Sequence, residues 1–298
     1  MVLLFALVVA VFTQLTPFAA ARARWPRLLC DALSVASVGV VCAAALAYRG
    51  LFYSRQVVVT LLMAAWSARL SWHLWRRGAT AAGRAWASLP APASESAAPP
   101  PYAPLVLARV FWSSAVALPA VTLNLALEYG AHPGFLHQPE DAPLALAALG
   151  ALALGHWADA SKAAHWAEAA PNTPPVVPAC ARGPWAWSRR PNYFAELLFH
   201  ASVYGLVVRH TPLPAVLGVT LTAFICLLAS GGAAGLEAQR HAACYMLSDY
   251  RAYRARTSPF VPLPPTLYAK VPYALRRLLF FEWPVLEGRG ASPPNPPA

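Results

Sequence analysis

LLCDALSVASVGVVCAAALAY, running from Leu28 to Tyr48, holds 21 residues and a single charge, Asp31. A helix of that length rises about 31 Å, close to the thickness of the hydrocarbon core of a bilayer. Arg22, Arg24 and Arg27 stand before it and Arg49 follows, so the charges sit at its ends. Outward from this stretch the same pattern recurs at Val2–Ala20, Val57–Trp75, Pro104–Leu127, Ala142–Asp159, Tyr193–Val208 and Leu213–Gly232. The sixth of these seven runs is short and the fifth ends in a polar stretch. The first has small residues at Phe18-Ala19-Ala20-Ala21, as a cleavable signal would, but its basic residues follow the apolar run instead of preceding it, which favours a span. Of the 298 residues 58% are apolar and only 12% charged, about half the charge of an average soluble protein. The expectation is an all-α, polytopic membrane protein with about seven transmembrane helices.

Charge placement sets the orientation. With the N-terminus outside, the cytosolic segments collect Arg22, Arg24 and Arg27, then Arg76, Arg77 and Arg84, then Lys162, Arg182, Arg189 and Arg190, then the basic residues from Arg240 to Arg289. The opposite side holds Arg49, Arg55 and Arg209, with Glu128, Glu140 and Asp141 in one loop. An even number of spans breaks this alternation, so the C-terminal segment is expected in the cytosol. The net charge of +11 is compatible with nucleic acid, anionic lipid or an anionic cofactor; its distribution along span ends speaks against nucleic acid. Residues 1–78 are read as the first three helices and 79–104, rich in Ala, Pro and Ser, as a flexible linker. The Pro-rich tail 286–298 is expected to be unstructured. Cys30, Cys42, Cys180, Cys226 and Cys244 are odd in number and scattered without a C-x-x-C pair, which suggests single buried thiols and neither a disulfide framework nor a zinc site.

Polar residues concentrate at 155–196 and 237–265. Solvated loops need basic residues, but they do not need Asp159, Lys162, Asn192, Glu196 and Glu237 at the ends of apolar spans, where an ionisable group is costly without a partner. In Trp187-Ser188-Arg189-Arg190-Pro191-Asn192-Tyr193-Phe194-Ala195-Glu196, proline suits the first helical position. A helix starting there offers free amides beside Arg189 and Arg190, a place for phosphate. Asn192 and Glu196, four apart, share a face able to bond a carboxamide, ribose or amine edge. Asp159 and Lys162 share another, as do Glu237 and His241. In the stretch from Asp249 to Ser258, tyrosines and arginines interleave, as suits either stacking on an adenine with phosphate pairing or contact with anionic lipid.

These residues carry a resemblance. Arg190-Pro191-Asn192-Tyr193-Phe194-x-Glu196, preceded by Ala158-Asp159-x-x-Lys162 and Gly183-x-Trp185, is similar to the signature of the steroid 5-alpha-reductase-like membrane proteins. So are Ser230-Gly231…Glu237 and Tyr250-x-x-Tyr253-x-x-x-Thr257-Ser258-Pro259-Phe260, with weaker likeness at Trp66-x-x-Arg69-Leu70 with Arg77, and at Phe111-Trp112…Pro119. The closest branch is the large, poorly characterised reductase-like group. The resemblance implies a seven-helix fold whose catalytic membrane domain covers 105–285, binds NADPH in a cytosol-facing cavity and reduces an activated C=C bond of a lipid in the membrane. It implies cofactor contacts at Asp159, Asn192, Tyr193 and Glu196, and at Glu237, Arg240, Tyr250, Tyr253 and Arg256; Lys162, Arg189 and Arg190 are added to these because the several negative charges of NADPH suit basic residues near a helix start. A eukaryotic protein of this kind is expected in the endoplasmic reticulum.

The chain departs from that pattern. Arg190 replaces the usual histidine and Ala195 the usual glycine, and the Glu and Tyr that the steroid enzymes carry on N-terminal helices have no counterpart where the third span reads Ala64-Ala65-Trp66. No residue is therefore assigned as catalytic; Tyr48, Tyr53, His73 and Tyr102 are candidates only as polar groups near apolar spans. Two rivals stay open. One is an S-adenosylmethionine-dependent isoprenylcysteine or lipid methyltransferase of the same superfamily, against which stand Asn192 with Glu196, the Asp159–Lys162 element and the abundance of cytosolic arginines. The other is a non-catalytic membrane scaffold. Trp66, Trp72 and Trp75 are read as lipid-facing or packing residues, and His156 and His165, nine apart, as too widely spaced for the usual helical metal pair.

Overall fold

The computed structural model describes residues 27–49, 52–79, 138–169, 180–210 and 248–280, together with 116, 117, 120, 121, 123, 124 and 136. The expected first and seventh spans, most of the fourth, the linker and the tail lie outside the described residues. What is described is mostly helical. In chain order the helices are α1 (Arg27–Arg49), α2 (Ser54–Ala79), α3 (Asp141–Ala169), α4 (Pro191–Val207), α5 (Ser248–Arg256), α6 (Pro265–Tyr268) and α7 (Tyr273–Leu279), with 3-10 turns at Gly183–Ala186 and Val208–His210. No strand occurs among the described residues; one isolated parallel bridge joins Ser188 and Ser258.

Among the described residues three helices, α1, α2 and α3, are long and apolar enough to cross a membrane. The sequence-read boundaries of α1 hold to within a residue. α3, however, continues ten residues past Asp159 to Ala169, because Ala, Lys and Glu favour helix whether or not the surroundings are apolar. α4, at 17 residues, is the shortest of the expected spans described.

The described residues fall in two compact units. The first contains α1, α2, α3 as far as Ala153 and α4 from Ala195; the second contains α3 from Leu154, the chain to Phe194, and 248–280.

In the first unit α1 and α2 form a hairpin with close helix contact. Ser67 Oγ donates to the Val35 carbonyl at 2.7 Å and accepts from the Gly39 amide at 3.2 Å. A Cβ on Gly39 would come within 2.9 Å of that hydroxyl, so glycine is what lets the two helices approach. Val38, Val41, Val59, Met63 and Val203 belong to the buried core that fills the interior. The helical residues Leu123 and Asn124 are fixed by polar bonds: Gln56 Nε2 donates to the Leu123 carbonyl at 3.1 Å, and Asn124 Nδ2 donates to Thr60 Oγ1 at 2.9 Å and to the Cys42 carbonyl at 3.3 Å.

The strongest polar tie is a buried ion pair. Arg55 and Asp141 are 2% and 1% exposed, and the two guanidinium nitrogens meet the two carboxylate oxygens at 2.6 Å each. Arg55 also donates to the Leu206 carbonyl at 3.1 Å, while Asp141 Oδ2 accepts from the Gln138 amide at 3.2 Å. The start of α2, the start of α3 and the last turn of α4 are thereby drawn together. Asp141 suits a helix N-terminus, and Leu206 has one of the carbonyls that a helix end leaves without an intrahelical donor. At its other end α4 meets α2 again through Glu196, described below, so these helices run antiparallel. The eleven-residue step from Arg55 to Trp66 and the ten-residue step from Leu206 back to Glu196 each cover about 15–16 Å.

Removing one partner of such a pair strands a buried charge, at a cost of about 3–5 kcal/mol, whereas replacing both by apolar groups removes that penalty. Arg55→Met is therefore expected to lower the unfolding temperature of the detergent-purified protein sharply, and Arg55→Met combined with Asp141→Leu to recover much of the loss. A double variant as unstable as the sum of the single ones would refute the pairing.

Candidate functional site

In the second unit the chain around the predicted signature is pinned from several directions. Trp185 is fully buried; its indole N–H donates to the Ala158 carbonyl at 2.8 Å, and its own carbonyl accepts from the Tyr253 hydroxyl at 2.7 Å. Gly183 has φ +56°, and a Cβ there would lie 3.1 Å from Ser161 Oγ, so both its conformation and its surroundings call for glycine. Ser188 Oγ donates to the Phe260 carbonyl at 2.7 Å and accepts from the Arg190 amide at 3.0 Å. The Arg189 amide donates to the Ser258 carbonyl at 2.7 Å, and the Leu263 amide to the Trp187 carbonyl at 3.0 Å. Three segments far apart in sequence, α3 at Ala158, the loop 180–190 and the stretch 253–263, are thus knitted into one element. From it α4 starts at Pro191, as the sequence predicts.

This element carries three cations, Lys162, Arg189 and Arg190. Asp159 and Lys162 lie one turn apart on α3, and the Lys162 ammonium sits 4.4 Å from the centre of the Trp185 ring. Arg189 and Arg190 are buried, the latter with its guanidinium 5.7 Å from the Tyr193 ring. Buried guanidinium groups need polar company, and Asp159, Lys162, Arg189 and Arg190 all take part in polar or ring contacts. The Oδ1 of Asn192 is buried and accepts no hydrogen bond among the described residues. An acceptor left so costs about 1–3 kcal/mol until some donor meets it.

The interleaved tyrosines and arginines of α5 separate by side. Tyr250 and Tyr253, three apart, are buried, and Tyr253 spends its hydroxyl on Trp185; Arg251 and Arg256 are exposed. In the protein alone the two tyrosines act as packing and tethering groups.

Glu196 belongs to the first unit and has partners there. Trp66 Nε1 donates to one carboxylate oxygen at 2.5 Å, and Arg69 pairs with the other. Phe199 stacks on Trp66 with ring centres 6.1 Å apart, and His200 meets the indole edge-on at 4.9 Å. From sequence Trp66 is expected to be a packing or lipid-facing residue. It is buried, while Trp72 and Trp75 are exposed. The available signal was spacing: Trp66 with Arg69, and Glu196 with His200, each share a helix face. Of the other candidates, Tyr48 and Tyr53 are exposed, Glu237, Arg240 and Tyr102 lie outside the described residues, and no three His, Cys, Asp or Glu gather as ion ligands among the described residues.

A model for a family described as a protein of unknown function, DUF1295, matches residues 18–257. The chain belongs to the DUF1295 family. No curated protein and no solved structure matches it. The DUF1295 match takes in every predicted site residue, from Asp159 to Arg256, and ends just before Ser258, whose carbonyl, with that of Phe260 and the amide of Leu263, pins the signature loop.

Ser188→Ala leaves the Arg190 amide and the Phe260 carbonyl unmet and is expected to cost about 1–3 kcal/mol, more than Tyr253→Phe at about 1 kcal/mol. Thermal unfolding of the two variants side by side checks the order; the reverse order would contradict the role given to Ser188.

Proposed function

We propose that this DUF1295 protein is an NADPH-dependent membrane oxidoreductase of the steroid 5-alpha-reductase-like kind, reducing a C=C bond of a sterol, polyprenol or enoyl lipid. The observations that carry the reading are three cations and an acceptor: Arg189 and Arg190 buried in the pinned loop before α4, Lys162 seated over the Trp185 ring of that loop, and the Oδ1 of Asn192, buried and without a hydrogen-bond partner among the described residues. A dinucleotide with several phosphate charges suits three cations, and a carboxamide N–H or ribose O–H suits the vacant acceptor of Asn192. The cofactor, when bound, supplies the hydride; the chain's part is to hold and orient it. Lys162, Arg189 and Arg190 neutralise phosphate. Asn192 fixes the orientation of a polar edge, and the backbone bonds of 185–190 keep the arginines in place without reorganisation.

The same proposal includes seven spans, with the N-terminus outside and the C-terminal segment in the cytosol. In its support, Arg55, Asp141 and Leu206, three helix ends that the charge pattern assigns to the outer side, meet one another. Two of the three outer-side basic residues are also matched by acids: Arg55 by Asp141, and Arg209 by Glu140 at 2.5 Å. Orientation by positive charge is thus carried by the opposite ends.

One observation favours the scaffold alternative: Glu196 and Tyr253, both expected at the cofactor, are engaged by Trp66, Arg69 and Trp185. Thermal stabilisation of the detergent-purified protein by NADPH, NADH and S-adenosylmethionine in parallel separates the readings. A ligand at 100 times its Kd adds about 2.7 kcal/mol. Stabilisation selective for NADPH and weakened in a folded Asn192→Ala variant is the expected result. A response to S-adenosylmethionine alone would replace the reductase by the methyltransferase, and silence with all three would leave the scaffold.

A further inference from the structure

Beyond Ser258, where the DUF1295 match has ended, the chain carries no acidic residue until Glu282. Within this stretch, which is part of the second unit, α6 packs against α5 and Arg276 Nη1 reaches the Ala255 carbonyl at 3.5 Å. Arg276 is turned inward, donating through Nε to the Val271 carbonyl at 2.8 Å and through Nη2 to the Ala269 carbonyl at 2.9 Å, with its guanidinium 4.6 Å from the Tyr268 ring. Tyr268 is buried and meets Phe280 edge-on at 5.7 Å. α6 and α7 are therefore locked together by groups that face each other. The outward side is correspondingly fixed. It presents Leu267, Tyr273, Leu275 and Leu279, all 44–55% exposed, and the exposed cations Lys270 and Arg277.

On α7 these groups are sorted by direction. Leu275 and Leu279 are four apart and form one edge; Tyr273 and Arg277 are four apart and form another, with the Arg277 guanidinium 6.0 Å from the Tyr273 ring. Arg276 occupies the protein-facing sector between them. Exposed leucines, an exposed tyrosine and exposed cations on one short rigid element are what a headgroup layer accepts: aliphatic groups enter the acyl boundary, the tyrosine sits at headgroup level, and the cations meet lipid phosphates. The chain contains helices fit to cross a membrane, so a bilayer is the partner at hand. Charge complementarity selects anionic lipid.

We propose that 265–280 lies in the membrane interface as a docking element for anionic lipid, with Leu275 and Leu279 inserted and Lys270 and Arg277 on the phosphates. This rests on the membrane character of the chain and is independent of the reductase reading. The test is amide hydrogen exchange of the full-length protein in nanodiscs of phosphatidylcholine alone or of phosphatidylcholine with phosphatidylglycerol. Exchange within 265–280 is expected to be slower on the order of tenfold in the anionic discs, each cation near such a surface contributing a severalfold factor. The difference is expected to vanish in Lys270→Glu/Arg277→Glu and at high salt, and Leu275→Ser/Leu279→Ser is expected to lose protection in both discs. Exchange over α1–α4 serves as the internal check that each variant is folded. Equal exchange in the two discs, or protection untouched by the charge-reversed variant, would overturn the proposal whatever the nucleotide experiments report.

Discussion

The first unit depends on one buried pair, Arg55 with Asp141. Each residue alone is a costly charge in an apolar chain; together, with the Leu206 carbonyl and the Gln138 amide, they fasten three helix ends at one point. Once that point is fixed, α2 and α4 run alongside each other in opposite directions, and ten to fourteen residues further along them Trp66 and Arg69 come to Glu196. The clasp at Glu196 thus follows from the one at Arg55. In the first unit the buried charges of Arg55 and Asp141 and the part-buried ones of Arg69 and Glu196 are answered by other polar groups of the same unit, as an apolar solvent demands.

The second unit solves a different problem, that of holding an irregular loop in place. Trp185, Ser188 and the backbone from 187 to 190 are bonded to Ala158 on one side and to Tyr253, Ser258, Phe260 and Leu263 on the other. Such a loop can carry two buried arginines because its backbone has no freedom to let them drift. Lys162, Arg189, Arg190 and Asn192 are the groups that give the proposed function its chemistry, and their arrangement is built from parts that flank them in space and are distant in sequence.

Much of this was legible in advance. The spans at Leu28–Tyr48, Val57–Trp75 and Ala142–Asp159 stand out by hydropathy and correspond to α1, α2 and α3, and Pro191 marks the start of α4 because proline suits a first helical turn. The continuation of α3 to Ala169 escaped a reading based on apolar runs, since helix propensity persists after hydropathy has fallen. The partners of Arg55 and Glu196 escaped it for a deeper reason: they lie 86 and about 130 residues away, and sequence reports the side of the membrane a charge occupies, not which opposite charge it meets. Tyr250 and Tyr253 read as surface stackers because interleaving with arginine looks exposed; their three-residue spacing is equally that of an inward helix face, and that is the face they take.

The most direct measurement of the central claim is a crystal structure grown from a lipid mesophase in the presence of NADPH. The account predicts nucleotide phosphate density in contact with at least one of Lys162, Arg189 and Arg190, and a donor of the cofactor on Asn192 Oδ1. A nucleotide seated away from these four residues, or no bound nucleotide at saturating concentration, would contradict it.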